Sequence, residues 1–127
     1  MKTRGQIEAE ISAAIVRFER EYMGRGPEET RCFILDDMVL VRLKGVLTPA
    51  ESKLASVRSD ERGRMLVKQT RIELLEKGRD LLETIIREIL GQEVKSLHTD
   101  ISTRTGERII IFTLDAPPRC REANGRR

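Results

Sequence analysis

The chain has 127 residues, 39% hydrophobic and 35% charged, with no Trp, one Tyr and three Phe, which suits one domain around an aliphatic core. No apolar run approaches the roughly 18 residues of a membrane span, and Met1-Lys2-Thr3-Arg4 leads into no signal-peptide core, so a soluble, cytoplasmic protein that does not span a membrane is expected. Arg119, Arg121, Arg126 and Arg127 against Glu122 account for the whole net charge of +3, and a neutral body with few aromatics argues against a nucleic-acid partner.

The first predicted element is a helix. Thr3-Arg4-Gly5-Gln6 fits a capping box, and Ile7, Ile11, Ala14, Ile15, Phe18 and Tyr22 follow at helical spacing. Gly24-Arg25-Gly26-Pro27 ends it, because glycine supplies a left-handed cap and proline blocks continuation. Two strands come next, about Arg31 to Leu35 and Met38 to Lys44. In the second, Val39, Val41 and Leu43 point one way and Leu40, Arg42 and Lys44 the other. Asp36-Asp37 is the turn between them.

Thr48-Pro49-Ala50-Glu51 starts a short helix to about Val57, with Thr48 as cap and Glu51 completing the box. Ser59 or Asp60 can cap the next one. A long helix is expected from about Glu61 to Leu90, with a stripe that is apolar except for Arg71. At 1.5 Å per residue it would span about 45 Å, more than a small domain's diameter. Either Gly78 bends it or its N-terminal half packs on a second subunit. On that reading charge at Val67 or Met65 splits a dimer, whereas charge at Leu74 or Leu81 costs folding. Strands over Val94 to Ser102 and Arg108 to Leu114 follow, joined by Thr103-Arg104-Thr105-Gly106-Glu107. The second, with Ile109-Ile110-Ile111-Phe112, reads as a central strand.

The order is helix, hairpin, helix, hairpin. Arg20-Glu21-Tyr22-Met23-Gly24 aligns with Arg87-Glu88-Ile89-Leu90-Gly91, in each case the last helical turn before a strand. The expected fold is α+β: two αββ units forming a four-stranded antiparallel sheet with helices packed on one face. One domain covers residues 1–116, and a basic, disordered tail covers 117–127.

Few residues suggest chemistry. A single His, and Cys32 and Cys120 far apart in sequence, make no zinc set, and no cofactor motif is present. Cys32 reads as a small core residue. On the sheet's open face Arg42 and Lys44 could hold an anion, and His98 and Asp100, two apart, could pair. Arg25 suits the helix's last carbonyls. Arg104 sits in a donor-rich hairpin. No nucleophile lies beside a base, so no catalytic residue is assigned.

Three segments carry a resemblance: Tyr22 to Pro27 (YMGRGP), Val39 to Glu51 (VLVRLKGVLTPAE) and His98 to Arg108 (HTDISTRTGER). Together they resemble the MpsC-like family over about residues 3–115. The resemblance implies a bacterial accessory to a cation-translocating, membrane-potential-generating system, acting at the cytoplasmic face of a membrane transport protein. The expected function is a non-enzymatic, homodimeric interaction or regulatory module. The alternative is a small-anion or nucleotide sensor using Arg25, Arg42, Lys44, His98 and Arg104. A third reading makes His98-Asp100 an acid/base pair.

Overall fold

Thr3 opens the first helix as the capping box predicts. Its hydroxyl accepts the Gln6 N–H at 3.2 Å, and the Gln6 side chain accepts the Thr3 N–H at 2.9 Å. Helix α1 then runs Arg4–Tyr22 and buries Ile7, Ile11, Ile15 and Phe18. The structure is a computed structural model that describes residues 1–56 and 61–121. Strands β1 (Glu29–Leu35) and β2 (Met38–Lys44) form a hairpin whose turn holds Asp36 at φ 58°, a conformation Asp adopts more readily than most residues. Helix α2 (Pro49–Ser56) starts with the expected Thr48–Glu51 box, at 2.8 and 3.1 Å. Helix α3 (Glu61–Leu90), strand β3 (Val94–Ile101) and strand β4 (Arg108–Leu114) complete the described elements. The caps expected at Ser59 or Asp60 fall outside the described residues.

The strands make one antiparallel sheet in the order β1-β2-β4-β3, and the helices pack on one side of it. The fold is therefore α+β, built from two αββ units. The sequence repeat recurs in the register. The offset that relates Gly24 (φ 88°) to Gly91 (φ 75°) also relates Arg42 to Ile109, which stand directly opposite each other between β2 and β4. The two central strands are thus related by a local two-fold through that pair.

Alternation decides which residues enter the core. Val39, Val41 and Leu43 on β2 and Ile110, Phe112 and Leu114 on β4 are buried under the helices, with Leu97 and Ile101 from β3. The other face carries Phe33, Leu35, Met38, Leu40, Ile109 and Ile111, all partly or substantially exposed.

The length of α3 is explained within the chain. Gly78 marks the crossing with α1: a Cβ there would lie 2.9 Å from the rings of Phe18 and Tyr22. The N-terminal half packs on α2, so closely that a Cβ at Gly63 would fall 2.2 Å from the Leu54 carbonyl oxygen. This corrects two expectations. Val67 is only 2% exposed and belongs to the core, so charge there costs folding rather than splitting a dimer. Leu81 is 53% exposed and is not a core position, because it lies off the buried stripe of Val67, Leu75, Leu82 and Ile86. Met65, as expected, is exposed.

Part of the expected tail is placed. Arg121 pairs with Thr3 through a bond from its N–H to the Lys2 carbonyl at 2.8 Å, Pro118 is buried, and Cys120 packs against the core. Residues 122–127 lie outside the described residues.

Candidate functional site

Three loops meet at one end of the sheet. The Glu28 N–H donates to the Lys44 carbonyl at 2.8 Å, which ties the start of β1 to the end of β2. The Val46 N–H donates to the Gly106 carbonyl at 3.1 Å, which ties the chain after β2 to the β3–β4 hairpin. That hairpin is itself ordered by the Gly106 N–H on the Ser102 carbonyl and by the Thr105 N–H on the Ser102 hydroxyl. Between these loops, α2 and the start of α3 lies a groove of about 1080 Å³. Arg42, Lys44, Arg64 and Arg104 line it, with Glu28 and Glu107 as the carboxylates.

The groove's cations are partly matched by Glu107 and by two carboxylates just outside the lining. The Arg42 Nε–H donates to Glu107, Lys44 lies 3.9 Å from Glu29, and Arg64 lies 3.3 Å from Glu61. Leu47 and Ala55 give it an apolar floor. The floor is fixed from below by Arg71, the one charged residue on the buried stripe of α3. Its guanidinium grips both Glu51 oxygens, at 2.6 and 3.0 Å, and donates to the Val46 carbonyl at 2.8 Å. One side chain thereby holds the segment carrying Leu47 and the cap of α2. Partial burial works to raise the Glu51 pKa, but the Arg71 and Thr48 hydrogen bonds outweigh it and leave the pKa lowered.

Further charges lie in the core beside Arg71. Glu19 is wholly buried, and neither of its oxygens has a hydrogen-bond partner among the described residues. Burial raises its pKa, against the pull of Arg108 and Arg71. Arg108, on the helix-facing side of β4, donates to the Thr99 hydroxyl at 3.1 Å, and burial lowers its pKa. The sequence reading passed over Glu19 and Arg108. A signal was present: Arg108 is in phase with Ile110, Phe112 and Leu114, and Glu19 follows Ile11 and Ile15 at helical spacing.

The candidate residues divide among three places. Arg42, Lys44 and Arg104 come together in the groove. Arg25 caps α1, its N–H on the Glu19 carbonyl at 3.3 Å and its side chain 3.7 Å from Glu28. His98 and Asp100 sit on edge strand β3 by a smaller pocket of about 320 Å³. Their partners differ: His98 bonds the Ser96 hydroxyl at 3.1 Å, and Asp100 lies 3.3 Å from Lys68. The bond from the Ile101 N–H, together with Lys68, lowers the Asp100 pKa. Cys32 is a core thiol whose pKa is pushed up to about 12 by burial and by nearby Glu8. Among the described residues no cluster of His, Cys, Asp or Glu could hold a metal ion, and no helix is long and apolar enough to cross a membrane.

Fold and groove thus define a two-layer α+β protein, an αββ repeat with a basic groove where its loops converge. The family described as "Na+-translocating membrane potential-generating system (MpsC)" matches residues 3–116. The chain belongs to the MpsC family. It is 48% identical over 113 residues to "Uncharacterized protein YbcI" of Bacillus subtilis (strain 168), covering 89% of each chain. No solved structure matches.

Proposed function

We propose that this chain is an accessory, regulatory subunit of a cation-translocating, membrane-potential-generating system, working in the cytoplasm as a homodimer and through contacts rather than a reaction. Its family supports the setting. The observation that carries the reading is the open face of the sheet. Phe33 and Leu35 are 38% and 40% exposed there, beside Leu40, Ile109 and Ile111, which no helix among the described residues covers. Apolar side chains gathered on one exposed face support a contact surface.

A second copy suits it by charge. The register sets Arg31, Arg42, Ile109 and Asp100 in one row across the sheet, and Phe33, Leu40, Ile111 and His98 in the next. A two-fold axis parallel to the strands lays β1 of one copy over β3 of the other without shifting rows. Arg31 then stands in line with the second copy's Asp100, within reach if that carboxylate turns from its own Lys68, and Leu40 faces its Ile111. Light scattering on the full chain tests the dimer. The expected mass is twice 14.6 kDa, reverting to a folded monomer in Ile111→Lys. A monomer at every concentration would overturn the homodimer. The regulatory role has a separate test: cells lacking the protein should show an altered membrane potential, and an unchanged potential would remove it.

A further inference from the structure

The groove shares Arg42 and Lys44 with that side of the sheet but otherwise lies at its end, between loops, α2 and α3, and it points to a ligand. We infer that it binds a small, soluble, phosphate-bearing anion, which takes Arg42 from Glu107.

The cations come from separate parts of the fold. Arg42 and Lys44 are two apart on β2, Arg104 is on the β3–β4 hairpin, and Arg64 is in the first turn of α3, yet all four line one cavity. Among the described residues four cations and two carboxylates line it, with Glu29 and Glu61 beside Lys44 and Arg64 just outside the lining. Ordinary surface ion pairing scatters such charges over a face. Here the bonds Glu28 to Lys44 and Val46 to Gly106 bring the loops together, and Arg71 fixes the floor. The site is therefore held by the fold before any ligand arrives, which reduces the ordering that binding requires.

The chemistry of the lining narrows the ligand. Cations approaching from different sides suit a tetrahedral group with several charged oxygens better than a planar carboxylate. Such a group carries more charge than Glu107 and competes for the same Arg42 N–H. Ser52, Ser56, Thr103 and Thr105 add hydroxyls, and Leu47 and Ala55 offer a short apolar floor. Among the described residues no aromatic side chain lines the groove, so they offer no platform for stacking a nucleobase. A groove of about 1080 Å³ exceeds what a lone phosphate fills. The class is thus a polyphosphate or a phosphorylated, hydroxyl-bearing metabolite rather than a base-recognised nucleotide.

Glu107 makes the idea distinctive. If the ligand only screens surface charge, removing Glu107 changes little beyond the general attraction. If the ligand replaces Glu107 at Arg42, freeing that arginine in advance should strengthen binding more than removing a carboxylate elsewhere on the surface.

Titration calorimetry on the full chain, with tripolyphosphate, fructose 1,6-bisphosphate and ATP as probes, tests the proposal. Saturable binding is expected for at least one of the first two. Arg42→Gln with Lys44→Gln should weaken it by about tenfold or more, and Glu107→Gln should tighten it by several-fold. Glu76→Gln, outside the groove, should not tighten it, and Arg79→Gln should leave it unchanged. Each variant's unfolding midpoint without ligand separates lost binding from lost folding. A phosphatidylglycerol vesicle arm separates the sources of phosphate. Binding to vesicles alone, equal loss in Arg79→Gln, or no saturable binding by any probe would each overturn the proposal. ATP binding with neither of the other probes would overturn the ligand class.

Discussion

Arg71 shows how one side chain can stabilise a segment that the backbone alone leaves loose. It satisfies the Val46 carbonyl and both oxygens of Glu51 from inside the core. Arg71→Met should therefore cost about 3–5 kcal/mol, because it leaves a carboxylate facing a half-buried site without its cation. Adding Glu51→Gln removes that charge while keeping the cap, so the double variant should cost less than the sum of the two single changes. Urea unfolding of the four proteins gives the coupling directly, and simple additivity would refute the pairing as a source of stability.

Glu19 makes the opposite contribution. Its folded pKa lies above its unfolded value of roughly 4.3. Between the two values the folded state binds more protons, so stability rises as pH falls through the folded pKa. Glu51 and Asp100 have lowered folded pKa values, and their stabilisation is lost as pH falls through those. The urea midpoint should climb on acidification from neutral pH and then turn down. Glu19→Gln should flatten the climb and leave the later fall. A climb of the same size in that variant would assign the raised group elsewhere. At this scale the sequence showed where charges interrupt apolar stripes. Which of them meet depends on how α1, α3 and β4 stack.

Among the elements, α3 is held by two close approaches. At Gly78 any Cβ meets Phe18 and Tyr22, and at Gly63 it meets the backbone of α2. Alanine is worth about 1 kcal/mol over glycine in an exposed helix interior. Here the sign should reverse, with Gly78→Ala costing about 1–3 kcal/mol because the stacked rings must move. Gly63→Ala should cost more, since a carbonyl is harder to displace than a ring. Thermal unfolding reads both, and a rise in midpoint for Gly63→Ala would mean that α2 and α3 are not packed this closely. The Thr48 cap is a milder case: Thr48→Ala should cost about 1 kcal/mol. The caps and the strand alternation were legible in the sequence because each depends on residues within a few positions. The partner of α3's N-terminal half was not, because a buried stripe looks the same whether α2 or another chain covers it.

For the whole molecule, the two αββ units meet across β2 and β4 and leave one face of the sheet open. β4 is apolar on both faces, the pattern expected of a central strand, and it lies between β2 and β3. Central placement explains Ile110 and Phe112, which are buried under helices. It does not explain Ile109 and Ile111, which face away from them and are only partly covered. Ile111→Lys should therefore abolish self-association while the chain stays folded, its midpoint falling only to that of the monomer. A variant that unfolds instead would mean the outer face stabilises the monomer itself.

The sequence by itself determined the elements, their caps, the repeat, the face of β2 that turns inward and the family resemblance. All of these are set by local spacing, by the period of two or about 3.6 residues, or by contiguous motifs. It also marked Arg42, Lys44 and Arg104, though as members of a wider set with His98, Asp100 and Arg25. Only the tertiary structure decided the strand order, since either hairpin could present either edge. The same holds for the groove, whose cations are drawn together by pairings between loops far apart in sequence, and for the core charges Glu19, Arg71 and Arg108. Their proximity is fixed by helix crossing and sheet register, which no local pattern encodes.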